Sequence, residues 1–76
     1  MNASTQIAII GPGVMGEAVI AGIIHRSIAS PQQITAAGPE QHRLDELCAR
    51  YGIRALRDNA EAARNADLVV LSVKPQ

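Results

Sequence analysis

The chain has very few cysteine and aromatic residues. Its 76 residues include one cysteine, Cys48, and one aromatic residue, Tyr51. A single cysteine cannot form an internal disulfide, and no cysteine and histidine residues have metal-ligand spacing, so the sequence predicts no metal site and favours a reducing, cytoplasmic setting. With one aromatic ring, the core must be built from aliphatic side chains.

An excess of charge of one sign and long apolar runs are also missing. Seven basic residues balance seven acidic ones, and their scatter argues against nucleic acid or an anionic membrane surface as a partner. No segment reaches the roughly 18 consecutive apolar residues of a membrane span, and residues 1–6 lack the charged region of a signal peptide. The composition, 47% apolar and 18% charged, predicts one small globular domain over residues 1–76.

The chain alternates short apolar runs with segments in which apolar residues recur at helical spacing. Strands are predicted at residues 7–10, 34–37, 53–56 and 68–73, and helices at 14–26, from Pro39 to Tyr51, and from Asp58 or Asn59 to about Asn65. This order predicts an α/β, Rossmann-like parallel sheet in the order 3-2-1-4 with flanking helices, the fourth strand being central. Gly22, inside the first helix, predicts close packing against a neighbour.

Residues 11–16, Gly-Pro-Gly-Val-Met-Gly, lie between the first strand and the first helix. Gly-x-Gly-x-x-Gly in that context is typical of a dinucleotide-binding turn, with an incidental glycine-rich turn as the alternative. Gly11 is expected to make the tight turn, Gly13 to let the backbone approach a pyrophosphate, and Gly16 to let helix and strand pack closely. Pro12 removes one phosphate donor because it has no N–H.

The end of the second strand bears on the choice of cofactor. Residues 36–38, Ala-Ala-Gly, offer no carboxylate for a ribose 2′-hydroxyl, which favours NADP and leaves NAD as the other candidate. Arg43 is either a ligand of the 2′-phosphate or a solvated helix residue. Glu40 is either a ribose acceptor or a favourable charge at a helix N-terminus, and Lys74 is either a ligand of the cofactor or a solvated residue.

Three segments carry a resemblance to a known family: residues 9–18, residues 58–62, and residues 66–76, which end in Ser-Val-Lys-Pro-Gln. Together they resemble the amino-terminal domain of pyrroline-5-carboxylate reductases. The resemblance implies cofactor contacts from residues 10–15, Asn59 and residues 72–75. The glycine pattern adds Gly16, and the end of the second strand, which meets the same crevice, adds Gly38. The predicted cofactor-binding set is therefore Ile10, Gly11, Pro12, Gly13, Val14, Met15, Gly16, Gly38, Asn59, Ser72, Val73, Lys74 and Pro75.

The resemblance also implies a reaction, the NADPH-dependent reduction of 1-pyrroline-5-carboxylate to L-proline in proline biosynthesis. It implies a homo-oligomer whose substrate-binding and dimer-forming helical domain lies beyond residue 76. We therefore expect a fragment that binds the nicotinamide dinucleotide, contributes no catalytic acid or base, and is inactive alone. Two alternatives stay open: a hydroxyacid dehydrogenase-type NAD(P)-binding domain, and a non-catalytic nucleotide-binding remnant. Pro12 and Val14 depart from the residues that the family often has there.

Overall fold

The computed structural model describes residues 2–72, which form a parallel sheet with helices on both faces. The strands are β1 (Ile7–Ile10), β2 (Ile34–Ala37), β3 (Arg54–Leu56) and β4 (Leu68–Leu71), and the helices are α1 (Val14–His25), α2 (Gln41–Tyr51) and α3 (Asn59–Arg64), with a 3-10 turn at Pro31–Gln33. The sheet order is β3-β2-β1-β4 with all pairings parallel, so the predicted fold class and strand order are confirmed. No helix in this range is long and apolar enough to cross a lipid bilayer.

β1 is the centre of the structure. It pairs with β2 on one side and with β4 on the other, and all four of its residues are buried. Its continuous apolar run follows directly from this position, because side chains on both faces of the strand point into the core. β1 therefore fixes the start of the segment that follows it, residues 11–16.

β4 differs from the sequence prediction in its extent and position. It ends at Leu71, which is in register with Ile10. Among residues 2–72 it is an outer strand rather than a central one, since the described chain pairs with it only through β1. Leu71 is accordingly 70% exposed. Val73, which was predicted to belong to this strand, lies outside the described residues, as do Lys74 and Pro75.

β1 and β2 have the predicted bounds, whereas α1, α2 and β3 each differ from the prediction at one end by one or two residues. α1 ends one residue early because Arg26 is its C-cap, and β3 begins at Arg54 rather than at residue 53. α2 begins at Gln41, two residues after Pro39, because Glu40 is still extended (φ −93°, ψ 100°). α2 ends where Gly52 adopts a left-handed conformation (φ 73°), which glycine adopts without a steric penalty.

Buried side chains form two clusters, one on each face of the sheet, because successive residues of a strand point to opposite faces. Between the sheet and helices α1 and α2 lie the aliphatic residues Ile7, Ile9, Ile20, Ala29, Ile34, Ala36, Leu44, Leu47 and Ile53. Between the sheet and α3 lie Ala8, Ile10, Ala37 and Ala62. The close packing predicted for Gly22 is wrong, since a Cβ added there would meet no atom within 4 Å.

Candidate functional site

The segment that we call the glycine turn, residues 11–16, reverses the chain within a few residues of the end of β1. Gly11 has φ 76°, a left-handed conformation that L side chains rarely adopt. The Gly13 amide donates to the Gly11 carbonyl oxygen at 2.8 Å. This closes a three-residue turn centred on Pro12, whose ring fixes φ near the value that an inverse γ-turn needs. Pro12 therefore shapes the turn as well as removing a donor.

The N-terminus of α1 emerges from the glycine turn with free hydrogen-bond donors. The amide of Glu17 donates to the Gly13 carbonyl at 3.0 Å, which begins the helical hydrogen bonds. The amides of Val14, Met15 and Gly16 have no acceptor within residues 2–72, as is usual for the first turn of a helix. Together with the positive end of the helix dipole, such donors favour an anion.

Gly13 and Gly16 face opposite surroundings. A Cβ added to Gly13 would meet nothing within 4 Å, whereas one added to Gly16 would lie 2.8 Å from Ser72 Oγ and 3.4 Å from the Gly11 carbonyl oxygen. Gly13 therefore borders open space beside the free amides. Gly16 lies where α1 approaches the sheet closely, as the sequence predicts.

Ser72 connects the end of β4 to the glycine turn. Its Oγ lies 2.7 Å from the Gly11 carbonyl oxygen and 3.0 Å from that of Ile10, and its amide donates to the same Ile10 carbonyl at 2.9 Å. The Ser72 hydroxyl proton is thus directed at the chain itself. Any contact that Ser72 makes with a ligand is left to the lone pairs of its oxygen.

A groove of about 310 Å³ lies between the glycine turn and the start of α2. It is lined by Gly11, Pro12, Gly13, Gly38, Pro39, Glu40, Arg43 and Leu44. Gly38 is buried against Pro12, since a Cβ added to Gly38 would lie 3.1 Å from Pro12 Cδ. The end of β2 therefore presents backbone and no side chain to the groove. Glu40 supplies the only carboxylate in this lining.

Arg43 contacts the glycine turn from α2. Its Nε donates to the Pro12 carbonyl oxygen at 2.9 Å, and its Nη2 donates to the Gly13 carbonyl oxygen at 3.3 Å and to Glu17 Oε1 at 2.7 Å. The sequence offered a 2′-phosphate ligand or a solvated residue. In the structure the Arg43 side chain is 24% exposed and is engaged by the chain itself, so the solvated alternative is wrong.

Glu17 is the acceptor that organises this region, and the sequence analysis missed it. Its carboxylate accepts hydrogen bonds from Tyr51 Oη at 2.7 Å, from Arg43 at 2.7 Å and from Arg50. These hydrogen bonds, that of Tyr51 first, lower the pKa of Glu17 from 4.5 to about 2. A usable signal was present, because Arg43 and Arg50 are seven residues apart and so lie on one face of α2.

The remaining predicted residues are distributed along the same edge of the sheet. Ile10 is buried, and its carbonyl is occupied by Ser72. Asn59 is exposed and is the first residue of α3, which follows β3. Because all the strands are parallel, their carboxyl ends share one edge, which gathers the glycine turn, Gly38, Asn59 and Ser72 there. The predicted contacts of Val73, Lys74 and Pro75 lie outside the described residues.

Two similar curated proteins carry the same enzyme name. The chain is 44% identical over 72 residues to pyrroline-5-carboxylate reductase of Corynebacterium melassecola and 45% identical over 71 residues to that of Vibrio alginolyticus. These alignments cover 95% and 93% of this chain but 26% of each relative. The chain thus spans about a quarter of the length of the curated relatives that it matches.

Solved structures agree in fold. A pyrroline-5-carboxylate reductase from Coxiella burnetii superposes with a TM-score of 0.85 at 33% identity, covering 95% of this chain and 26% of that one. The NADP-bound pyrroline carboxylate reductase of Plasmodium falciparum, at 23% identity and a TM-score of 0.75 over 95% of this chain and 25% of that one, shares the fold. The family described as NADP oxidoreductase coenzyme F420-dependent matches residues 6–76. The chain therefore belongs to the NADP oxidoreductase, coenzyme F420-dependent family.

Proposed function

We propose that this chain is the nucleotide-binding part of a pyrroline-5-carboxylate reductase and that it binds NADP(H) at the glycine turn, with NAD(H) as the second cofactor. The relatives and the solved structures described above carry that enzyme name. The hydroxyacid dehydrogenase alternative has no comparable support. The proposed contacts are the full set predicted from the sequence, including those of Val73, Lys74 and Pro75.

The observation that carries the proposal is the group of free amides beside Gly13. Val14, Met15 and Gly16 present three N–H groups without acceptors in the described chain, and nothing stands within 4 Å of a Cβ at Gly13. A pyrophosphate needs both features, donors for its oxygens and a backbone that it can approach closely. The site therefore fits the diphosphate of a dinucleotide better than it fits an uncharged ligand.

The groove beside the turn suits the adenosine half of such a cofactor. Gly38 leaves its floor without a side chain, and its lining is mostly apolar apart from Glu40 and Arg43. No carboxylate stands at the end of β2, where a ribose 2′-hydroxyl is usually held. This absence favours the 2′-phosphorylated cofactor. Glu40, three residues after the end of β2, lines the groove and is the carboxylate nearest to that position in the sequence.

A bound reduced nicotinamide supplies the hydride, and the residues of this chain bind and orient it. In the proposed reaction this hydride would add to the imine carbon of 1-pyrroline-5-carboxylate and a proton from solvent to its nitrogen, which would give proline and the oxidised cofactor. No side chain among the 76 residues is proposed as an acid or base. Pure 76-residue chain is accordingly expected to form no measurable proline from pyrroline carboxylate and NADPH.

Titration of the full chain with NADPH, followed by cofactor fluorescence, tests the proposal directly. We expect saturable binding that Gly13→Ala weakens by tenfold or more, because the new methyl group occupies the space that the pyrophosphate needs. The φ of Gly13 is −82°, which any residue adopts, so the substitution should cost about 1 kcal/mol of stability at most, as a poorer N-cap.

Gly22→Ala is the matched control, since it makes the same change in α1 where a methyl group also meets open space. It should leave the NADPH affinity unchanged. Absence of saturable binding at millimolar NADPH, in a chain whose circular dichroism shows it to be folded, would exclude the proposed function. Equal affinities of the wild-type and Gly13→Ala chains would exclude the glycine turn as the site.

A further inference from the structure

We propose that Arg43 is a positioning residue of the glycine turn: held by Glu17, it fixes the carbonyl groups of Pro12 and Gly13 so that the free amide of Val14, at the start of α1, faces the cofactor. The inference rests on the proposed function for its consequence in binding. Its geometric part concerns this chain alone. Arg43 is thereby assigned a role distinct from that of a 2′-phosphate ligand.

The argument begins with peptide geometry. The chain has no cis peptide bonds among its described residues, and in a trans peptide group the C=O and N–H point in opposite directions. Binding of the Pro12 carbonyl at 2.9 Å therefore fixes the Pro12–Gly13 peptide plane. The Gly13 carbonyl accepts from Arg43 Nη2 at 3.3 Å and from the Glu17 amide at 3.0 Å, so the N–H of Val14 points away from both donors.

Two adjacent carbonyl groups can be bound by one side chain only if it presents several N–H donors at fixed positions. A guanidinium presents several N–H donors in one rigid plane, so Nε and Nη2 can bind both carbonyls and Glu17 at once. A lysine ammonium has the same charge on a flexible stem and cannot reproduce this planar arrangement. Arg43→Lys therefore separates the geometry of the contact from its charge.

Glu17 keeps Arg43 in this orientation. It lies in α1, directly after the free amides, and its Oε1 accepts from Arg43 Nη2 at 2.7 Å. Its Oε2 accepts from Tyr51 Oη at 2.7 Å and from Arg50, which fixes the carboxylate itself. The carboxylate is thus held by three donors from α2.

The same contacts leave Arg43 only the N–H groups of Nη1 for a phosphate. Nε and Nη2 are occupied by the glycine turn and Glu17, and Nη1 lies 3.8 Å from Glu46 Oε1. A 2′-phosphate bound by Arg43 would have to compete with both carboxylates. Arg43 therefore acts on the pyrophosphate end of the site, through the backbone.

The test compares three ligands on the full chain: NADPH, NADH and 2′-AMP, which lacks the pyrophosphate. Arg43→Lys should weaken NADPH and NADH by the same factor, about tenfold for the loss of charge-assisted hydrogen bonds, and change 2′-AMP by less than threefold. Glu17→Gln should weaken both dinucleotides by a smaller common factor. Arg64→Lys, which changes an exposed arginine of α3 in the same way, should change none.

A second readout requires no cofactor. The amide ¹⁵N shifts of Gly13 and Val14 report hydrogen bonds to the carbonyls of Pro12 and Gly13, which belong to the same peptide groups. Both shifts should change in Arg43→Lys and in Glu17→Gln, and neither should change in Arg64→Lys. If wild-type chain binds no NADPH, the proposed function fails, while these shifts still decide whether Arg43 holds the turn.

Three outcomes would overturn the inference. The first is a loss confined to NADPH and 2′-AMP in Arg43→Lys, which would make Arg43 a 2′-phosphate ligand. The second is tighter NADPH binding in Glu17→Gln, as expected if the carboxylate merely withholds Arg43 from a phosphate. The third is unchanged Gly13 and Val14 shifts in Arg43→Lys.

Discussion

The two faces of the sheet are built very differently. The face covered by α1 and α2 buries large side chains such as Ile9, Ile20 and Leu47. The face covered by α3 buries mainly alanines around Ile10 and is open enough to leave a cleft of about 400 Å³ between α3 and the sheet. We call the face covered by α1 and α2 the closed face and the face covered by α3 the open face. The candidate site adjoins the closed face, where the side chains of α1 and α2 anchor both helices that shape the glycine turn.

The register of β4 shows the same contrast. Val70 is in register with Ile9 and packs against the α1–α2 cluster, whereas Leu71 is in register with Ile10 and is 70% exposed. Neighbouring strand residues point to opposite faces, so the open face exposes Leu71 at the end of β4, whereas Leu68 and Val69 near its start, on opposite faces, are similarly exposed at 44% and 40%. Positioning of the glycine turn therefore depends on the closed face, and the α3 face contributes Asn59 and the buried side chain of Ile10 to the candidate set among the described residues.

Truncation of two adjacent residues of β1 gives the largest expected effect and tests the contrast directly. Ile9→Ala should lower the free energy of unfolding by about 4 kcal/mol, since it leaves a cavity in the closed face, and Ile10→Ala by about 2 kcal/mol, since water reaches the open face more easily. Urea unfolding measures both.

If Ile9→Ala does not fold, the comparison can be made with valine variants. Ile9→Val should lower the free energy of unfolding by about 1 kcal/mol, and Ile10→Val should lower it by less. Equal costs at the two positions, or a larger cost at Ile10, would contradict the difference between the faces. A matched substitution in one strand keeps the backbone pairing the same in both variants.

The elements predicted from the sequence were those encoded by local patterns. The run Ile7–Ile10 and the glycine pattern of residues 11–16 identify a buried strand and its turn without knowledge of any other segment. The outer position of β4 follows from the predicted order 3-2-1-4 and not from its own apolar run, which has the same pattern whether or not a further strand pairs with it.

Contacts between distant residues were the part that sequence could not supply. Arg43 and Glu17 are 26 residues apart, and Arg43 also binds carbonyl groups, which every residue possesses. Gln33 is buried because its Nε2 donates to the carbonyls of Asn2 and Thr5 at 2.8 and 2.9 Å. Nothing in the sequence selects Glu17 as the partner of Arg43, or the carbonyls of Asn2 and Thr5 as the partners of Gln33.

The second prediction concerns how tightly α1 packs on the closed face. Gly16→Ala should destabilise the chain by about 2 kcal/mol, because the new methyl group would lie 2.8 Å from Ser72 Oγ and 3.4 Å from Ile9 Cγ2 and force neighbours to move. Gly22→Ala should instead stabilise it, by up to about 1 kcal/mol, through helix propensity in open space.

Thermal unfolding of both variants distinguishes their signs in one measurement. Destabilisation by Gly22→Ala would mean that α1 packs closely along its whole length, and the closed face would then be tighter than the structure shows. Stabilisation by Gly16→Ala would contradict the close approach at Ser72.

The third prediction concerns what holds the open face. α3 has six residues, and the side chain of Asp58 accepts hydrogen bonds from the amides of Ala60 at 2.9 Å and Glu61 at 3.1 Å. Asp58→Ala should lower the free energy of unfolding by about 1 kcal/mol. It should accelerate amide hydrogen exchange more in α3 than in α1. Asp58→Asn, which keeps an accepting oxygen, should cost little. Uniform acceleration in all three helices would show that the two faces open together.

The smallest expected effect is the pH dependence of the α1–α2 contact at Glu17. Hydrogen bonds from Tyr51, Arg43 and Arg50 lower the Glu17 pKa from 4.5 to about 2, so the folded state binds this proton less readily than the unfolded state does. The stability from this group is therefore complete above about pH 4.5 and is lost as the pH falls toward 2. Glu17→Gln should make the urea concentration at half-unfolding depend less on pH between pH 4.5 and 2. Glu61→Gln on α3 should leave that dependence unchanged. An unchanged slope in Glu17→Gln would mean that the closed face does not depend on this carboxylate.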